Sequence, residues 1–180
     1  IKAATANTAQ VAIDKGIETI IDFFGIRLAT ELAKKGRRAD LLLGNNVLAH
    51  VPDIGDFVGG MKILLKQTGT ITMEFPHLMR LVDSNQFDTI YHEHFSYLSL
   101  YSVQKVFEAH GLALFDVEEL PTHGGSLRIF AKHQEDGTKA VSGNVAALLK
   151  RETDLGMNTL AYFRGFQQRA LKAKLELLEF

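Results

Sequence analysis

The sequence predicts an α/β protein whose parallel sheet is finished by an antiparallel strand pair. Three observations predict it. Helical and strand periodicities alternate through the first half of the chain. The run Ala39–Asn45 (ADLLLGN) is apolar on both faces, as a parallel strand buried between helix layers is. Late in the chain, Pro121 to Gly125 joins two strands by a link too short for a crossover, which makes that pair antiparallel. With 180 residues, 46% hydrophobic and 23% charged, the chain has the length and composition of a domain with a real core.

Each element has a local reason. Ala6 to Lys15 has helical spacing and stops at Gly16. Glu18 to Phe24 (ETIIDFF) is a short strand-like run rich in β-branched residues. Ile26 to Lys35 places Ile26, Leu28, Ala29, Leu32 and Ala33 on one broad face and ends at Gly36. After the strand Ala39–Asn45, Asp53 is the N-cap of a helix running to about Lys66, closed by Gly69. Thr70 to Phe75 is the next strand, ended by Pro76. This βαβαβ order implies parallel strands with right-handed crossovers. A helix around Ser102 to His110 follows, then the strands Leu112–Leu120 and Ser126–His133. From about Val141 to Phe180 the text is helical, and its leucines need a surface to bury against.

Several function classes have no support. Lys plus Arg number 20 and Asp plus Glu 21, so the net charge of −1 gives no reason to expect a nucleic-acid or anionic membrane partner. The apolar stretches are too short to span a membrane. Without cysteine there is no disulfide, thiolate zinc site or thiol nucleophile. No leader pattern precedes Ile1, so a cytoplasmic location is expected, and the chain is expected to be cut from a longer one. Neither G-x-G-x-x-G nor a P-loop occurs, which predicts a sheet truncated at its N-terminal side.

Ligands of doubly wound sheets bind at the carboxyl ends of the strands, here Phe23-Phe24, Asn45-Asn46 and Glu74-Phe75. The densest group of chemical side chains is Tyr91-His92-Glu93-His94. On an extended segment His92 and His94 share a face. Two readings stand open: both histidines ligate a metal, with His50 or Glu74 as a further ligand, or one histidine is a general base tuned by a neighbour. His50 follows a strand end and is a pocket candidate, as is Glu74 in its apolar surroundings. His123-Gly124-Gly125-Ser126 with Arg128 has the parts of an anion-receiving turn, although the glycines alone also suit a hairpin.

Four runs carry a resemblance: E-F-P-H-L (74–78), F-D-T-I-Y-H-E-H-F-S-Y (87–97), H-G-G-S-L-R (123–128) and N-N-V-L-A-H-V-P-D (45–53). Together they resemble the S-adenosylmethionine-dependent sugar C-methyltransferases, which act on nucleotide-linked deoxy-4-ketosugars. The resemblance covers most of residues 1–133. It implies a Rossmann-like class I methyltransferase sheet, N-terminally truncated, with a terminal antiparallel pair and a long C-terminal helix. Residues 1–135 would then be part of the methyl-donor-binding and catalytic domain, and 136–180 a helical linker towards a further domain. Zinc belongs to a family domain outside this chain, and the other domains of the same polypeptide are the implied protein partners. The implied chemistry needs no metal: His94 is the base that forms an enolate, with Tyr91 and Glu93 orienting and His50 assisting. Phe24, Asn45, Asn46 and Val47 are the methyl-donor candidates. Glu74, His77, Ser126 and Arg128 are the candidates for the nucleotide-linked ketosugar. The competing classes are a metal-dependent enzyme using His92 and His94, and a catalytically silent domain acting in assembly.

Overall fold

The computed structural model describes residues 2–3 and 6–180. The order is β1 (Lys2–Ala3), α1 (Ala6–Asp14), β2 (Thr19–Ile20), α2 (Ile26–Lys34), β3 (Ala39–Asn45), α3 (Ile54–Leu64), β4 (Leu65–Pro76) and α4 (Leu78–Asp83). Then come α5 (Leu100–Ala109), β5 (Leu112–Leu120), β6 (Ser126–His133), α6 (Gly143–Asp154), α7 (Leu160–Phe163) and α8 (Phe166–Glu179). β3, β4, β6 and β5 form one sheet in that order, while β1 and β2 pair separately and in parallel. β3 and β4 are parallel; β6 runs antiparallel to both of its neighbours, as the short link requires. The architecture is therefore the α/β sheet with a terminal antiparallel pair.

β4 is central and covered on both faces. Ile71, Met73 and Phe75 face the main core, which α3, α5 and α6 complete with Val58, Met61, Val103, Phe107, Val145 and Leu148. α2 forms a smaller cluster, packing Leu28, Ala29 and Leu32 against Leu64. Asp53 caps α3 by accepting from the Asp56 amide at 2.9 Å.

Two expectations are corrected. The strand expected over residues 18–24 shortens to Thr19–Ile20, because Asp22 turns its carboxylate onto the Phe23 amide (2.8 Å) and Arg27, ending the ladder. Gly69 does not close a helix. α3 stops at Leu64 and β4 begins at the next residue, with Gly69 in a bulge where pairing jumps from Ala39–Leu65 to Leu41–Thr70. The driving contact is Leu65, whose buried side chain belongs to the core. The C-terminal text is helical and ends in the long helix α8, with breaks before α7 and α8 at Gly156 and Gly165, where φ is +76° and +86°. α6 is part of the core through Val145 and Leu148, whereas α8 buries no residue and exposes Leu171, Leu175, Leu177 and Leu178. Among the described residues no helix is long and apolar enough to cross a membrane.

Candidate active site

The site is built where β3 and β4 end. Asn46 takes a left-handed φ of 51° and its amide donates to the Glu74 carbonyl at 2.8 Å, folding the chain over the end of β4. A helical turn, Leu48–His50, follows and is anchored by the buried Leu48. The His50 amide donates to the Val47 carbonyl at 2.9 Å, which sets His50 one turn beyond Asn45 and Asn46.

Residues 91–97 lie over this turn. The amides of Phe95 and Ser96 both donate to the Ala49 carbonyl, at 2.8 and 3.2 Å. The segment is a turn, closed by the His94 amide donating to the Tyr91 carbonyl at 3.1 Å. Its residues do not alternate faces as an extended run would: His92 is exposed and His94 turns inward. His94 Nδ1 donates to the Thr89 carbonyl at 3.0 Å, which fixes the neutral ring as the Nδ1–H tautomer. Its Nε2 then has a lone pair to offer, and the Tyr91 hydroxyl lies 3.3 Å from it. The His94 ring stacks on Tyr91 with centroids 4.3 Å apart and meets His50 edge-on at 4.7 Å. Tyr97 closes the group at 5.8 Å. His50 Nδ1 donates to the Glu93 carbonyl at 3.1 Å, so its Nε2 is the free end, buried and with no protein partner. Glu93 thus contributes its carbonyl while its side chain stays exposed.

The other candidates divide. Phe24 is half-buried with its ring edge on Phe57 at 5.4 Å, Val47 packs on the core, and Asn45 and Asn46 are exposed. Glu74, Arg128 and Glu118 face one another across β4, β6 and β5. Arg128 donates to Glu74 at 2.9 Å and to Glu118 at 3.4 Å, and the Thr122 hydroxyl completes the Glu74 carboxylate at 3.0 Å. Ser126 and His77 are buried and turned to their own chain. Ser126 donates to the Thr122 carbonyl at 3.0 Å, and His77 Nε2 donates to Glu152 at 2.7 Å. In the turn before β6, a side chain on Gly124 or Gly125 would stand 2.6 Å from Gln86 or Arg80, so those glycines let the turn pack closely on α4 and on Gln86 beyond it. Among the described residues no group of three or more His, Asp or Glu is placed to hold a metal ion.

Sequence reasoning missed Tyr97, Thr89 and Glu152. Only Glu152 left a signal: with Val145 and Leu148 it lies at i, i+3 and i+7 on the buried stripe of α6, a carboxylate where an apolar residue is expected.

Comparison with known proteins adds to this geometry. Residues 121–180 match the family described as the C-methyltransferase C-terminal domain. The chain is 38% identical over 173 residues to C-methyltransferase NovU of Streptomyces niveus, covering 96% of this chain and 41% of that protein. It therefore spans about two fifths of the length of this curated relative. Among solved structures, LepI in complex with SAM superposes with a TM-score of 0.55 at 14% identity, over 74% of this chain and 35% of that one. An O-methyltransferase family protein from Burkholderia thailandensis gives 0.54 at 18% identity, over 76% and 44%. Those two likenesses show the fold, a Rossmann-like α/β sheet. The two sequence matches are both described as C-methyltransferases, over the parts of each chain given.

Proposed function

We propose that this chain carries the catalytic face of a SAM-dependent C-methyltransferase acting on the carbon next to the ketone of a nucleotide-linked deoxy-4-ketosugar. The observation that supports it best is His94. Its ring is held by the Thr89 carbonyl with Nε2 directed to Tyr91, beside His50, at the carboxyl ends of the strands. A neutral imidazole is a competent base near pH 7. His94 Nε2 takes the proton α to the carbonyl, and the C–H electron pair moves to make an enolate with charge on the ketone oxygen. The Tyr91 hydroxyl, released from Nε2 as substrate enters, donates to that oxygen. His50, oriented through its Nδ1–H, packs edge-on against the His94 ring. S-adenosylmethionine supplies an electrophilic methyl group for the enolate carbon. The residues that would hold it are Phe24, Asn45, Asn46 and Val47: exposed amides at a strand's carboxyl end, one turn before His50, and a half-buried aromatic ring are groups that suit an adenosyl moiety. For the sugar nucleotide the reading takes Glu74 and Arg128 as a charged wall, with His77 and Ser126 behind it. The catalytic unit is assigned to residues 1–135 with α6 packed on it, and the further domains of the protein are part of the same proposal.

His94→Ala in the full encoded protein tests it. Solvent deuterium exchange at the substrate carbon is expected to fall by about 10²–10⁴, the usual worth of a general base, with S-adenosylhomocysteine affinity unchanged. Unimpaired exchange moves the base elsewhere, and failure of the parent protein to bind S-adenosylhomocysteine overturns the methyltransferase reading.

A further inference from the structure

Among the buried polar groups that the proposed chemistry leaves unused is Glu152, on α6 and 1% exposed. Its carboxylate accepts three hydrogen bonds. Oε1 receives His77 Nε2–H at 2.7 Å and the Leu100 amide at 2.7 Å, and Oε2 receives the Tyr101 amide at 2.9 Å. These donors are far apart in sequence but bracket one stretch of chain. His77 opens α4, and Leu100 and Tyr101 open α5. Between them runs the segment that delivers Thr89, Tyr91 and His94. A single carboxylate therefore fastens both ends of that segment, and the Leu78 amide ties them together by donating to the Leu98 carbonyl at 2.9 Å.

The fastening reaches His94 through bonded steps. From His77, α4 leads to Gln86, whose side-chain amide donates to the Gly124 carbonyl at 2.9 Å and whose own carbonyl accepts the Thr89 hydroxyl at 2.8 Å. Thr89 in turn holds His94 Nδ1. His77, Gln86, Thr89, His94 and Tyr97 also line one small cavity of about 10 Å³, which places His77 in the same lining as the base. A buried carboxylate that loses one of these donors is left partly unpaired, which is costly.

We infer that Glu152 is a positioning residue: from the C-terminal helical segment it holds the tautomer and placement of the base His94. The inference rests on the assignment of His94 as the base, but its first readout does not need catalysis. In Glu152→Gln, the amide group turns a donor towards one of the three N–H groups. Nitrogen-15 spectra of the imidazoles in the full encoded protein are expected to show His94 locked as the Nδ1–H tautomer in the parent and averaged between tautomers in this variant. His77→Phe, which keeps a buried ring and removes only the upstream arm, is expected to have a weaker effect in the same direction. His77→Gln, which restores a donor to Glu152, is expected to recover the parent spectrum. In turnover, kcat is expected to fall about tenfold or more, in keeping with the cost of sub-ångström misplacement, with KM for S-adenosylmethionine unchanged. Folded Glu152→Gln and His77→Phe proteins that both keep the parent His94 spectrum and kcat overturn the inference; if Glu152→Gln does not fold, His77→Phe and its rescue decide alone. A parent protein without methyl transfer would instead defeat the proposed function, and the tautomer measurement would still decide the role of Glu152.

Discussion

At the scale of single residues, buried charges here act as staples for loops that have few apolar contacts. Asp136, beyond β6, shows it most clearly. Its carboxylate accepts from Lys139 Nζ (2.8 Å), the Thr138 hydroxyl (2.6 Å) and the Thr138 amide (2.8 Å), while the buried Lys132 donates to its carbonyl at 2.6 Å. The bonds from Lys139 and then Thr138 hold the carboxyl well below the ordinary carboxylate range. A carboxyl depressed by folding stabilises above its unfolded value, near 3.9, and that stability fades as pH falls towards the folded value. Asp136→Asn is therefore expected to lower the urea midpoint at pH 7, with the gap to the parent constant above about pH 5 and shrinking below about pH 4. A gap that stays constant down to about pH 2 would show that the ionised carboxylate is not what holds the loop. The same scale explains what is legible in the sequence at the candidate site. Tyr91, Glu93 and His94 are adjacent and His50 follows a strand end, so their candidacy is local information. Glu152 meets His77 across 75 positions, and only the fold brings them together.

At the scale of elements, glycine placement decides how α2 and α3 meet. Gly60 sits inside α3, where helix propensity favours alanine by about 1 kcal/mol. The fold opposes that preference: a Cβ on Gly60 would stand 2.6 to 3.0 Å from the backbone C, O and Cα of Gly25, at the start of α2. Backbone cannot give way as a flexible side chain can, so Gly60→Ala is expected to destabilise by about 1–3 kcal/mol, the range for overpacking. Gly143, the first residue of α6, has nothing within 4 Å and serves as the control; alanine there is expected to leave the urea midpoint level or slightly raised. Equal, small effects at both positions would mean that α2 and α3 separate freely. The bounds of β3, β5 and β6 follow the sequence pattern because turn residues and short apolar runs are local signals. The join of α3 to β4 does not, since Leu64 and Leu65 carry no breaker between them and only the β3 register selects the change of state.

At the scale of the whole molecule, the distribution of buried apolar surface sets the order in which parts open. β4, β6, α5 and α6 share one core, and Glu152 joins α6 to the active-site segment. α8 contributes nothing to that core, and Arg169 ties it to the body by donating to the Val82 carbonyl at 2.8 Å. α7 is held nearby by the Tyr162 hydroxyl on Asp83 at 2.9 Å, and burial, then that bond, raises the phenol above its ordinary range. The leucine pattern of the C-terminal text predicts a buried apolar face, but the structure leaves Leu175 half-exposed and Leu178 more so. The reason is geometric. The breaks at Gly156 and Gly165 redirect the helices, so the pattern from α6 does not continue in phase into α8. Native-state hydrogen exchange on this 180-residue chain is then expected to show two tiers. Amides of α8 should exchange first, with protection near that of an isolated helix; α6 should exchange with the sheet; and β4 and β6 should open only with global unfolding. Protection of α8 equal to that of β4 would mean that its leucines are covered, by another part of the chain or by a second copy, and dilution would separate those two causes.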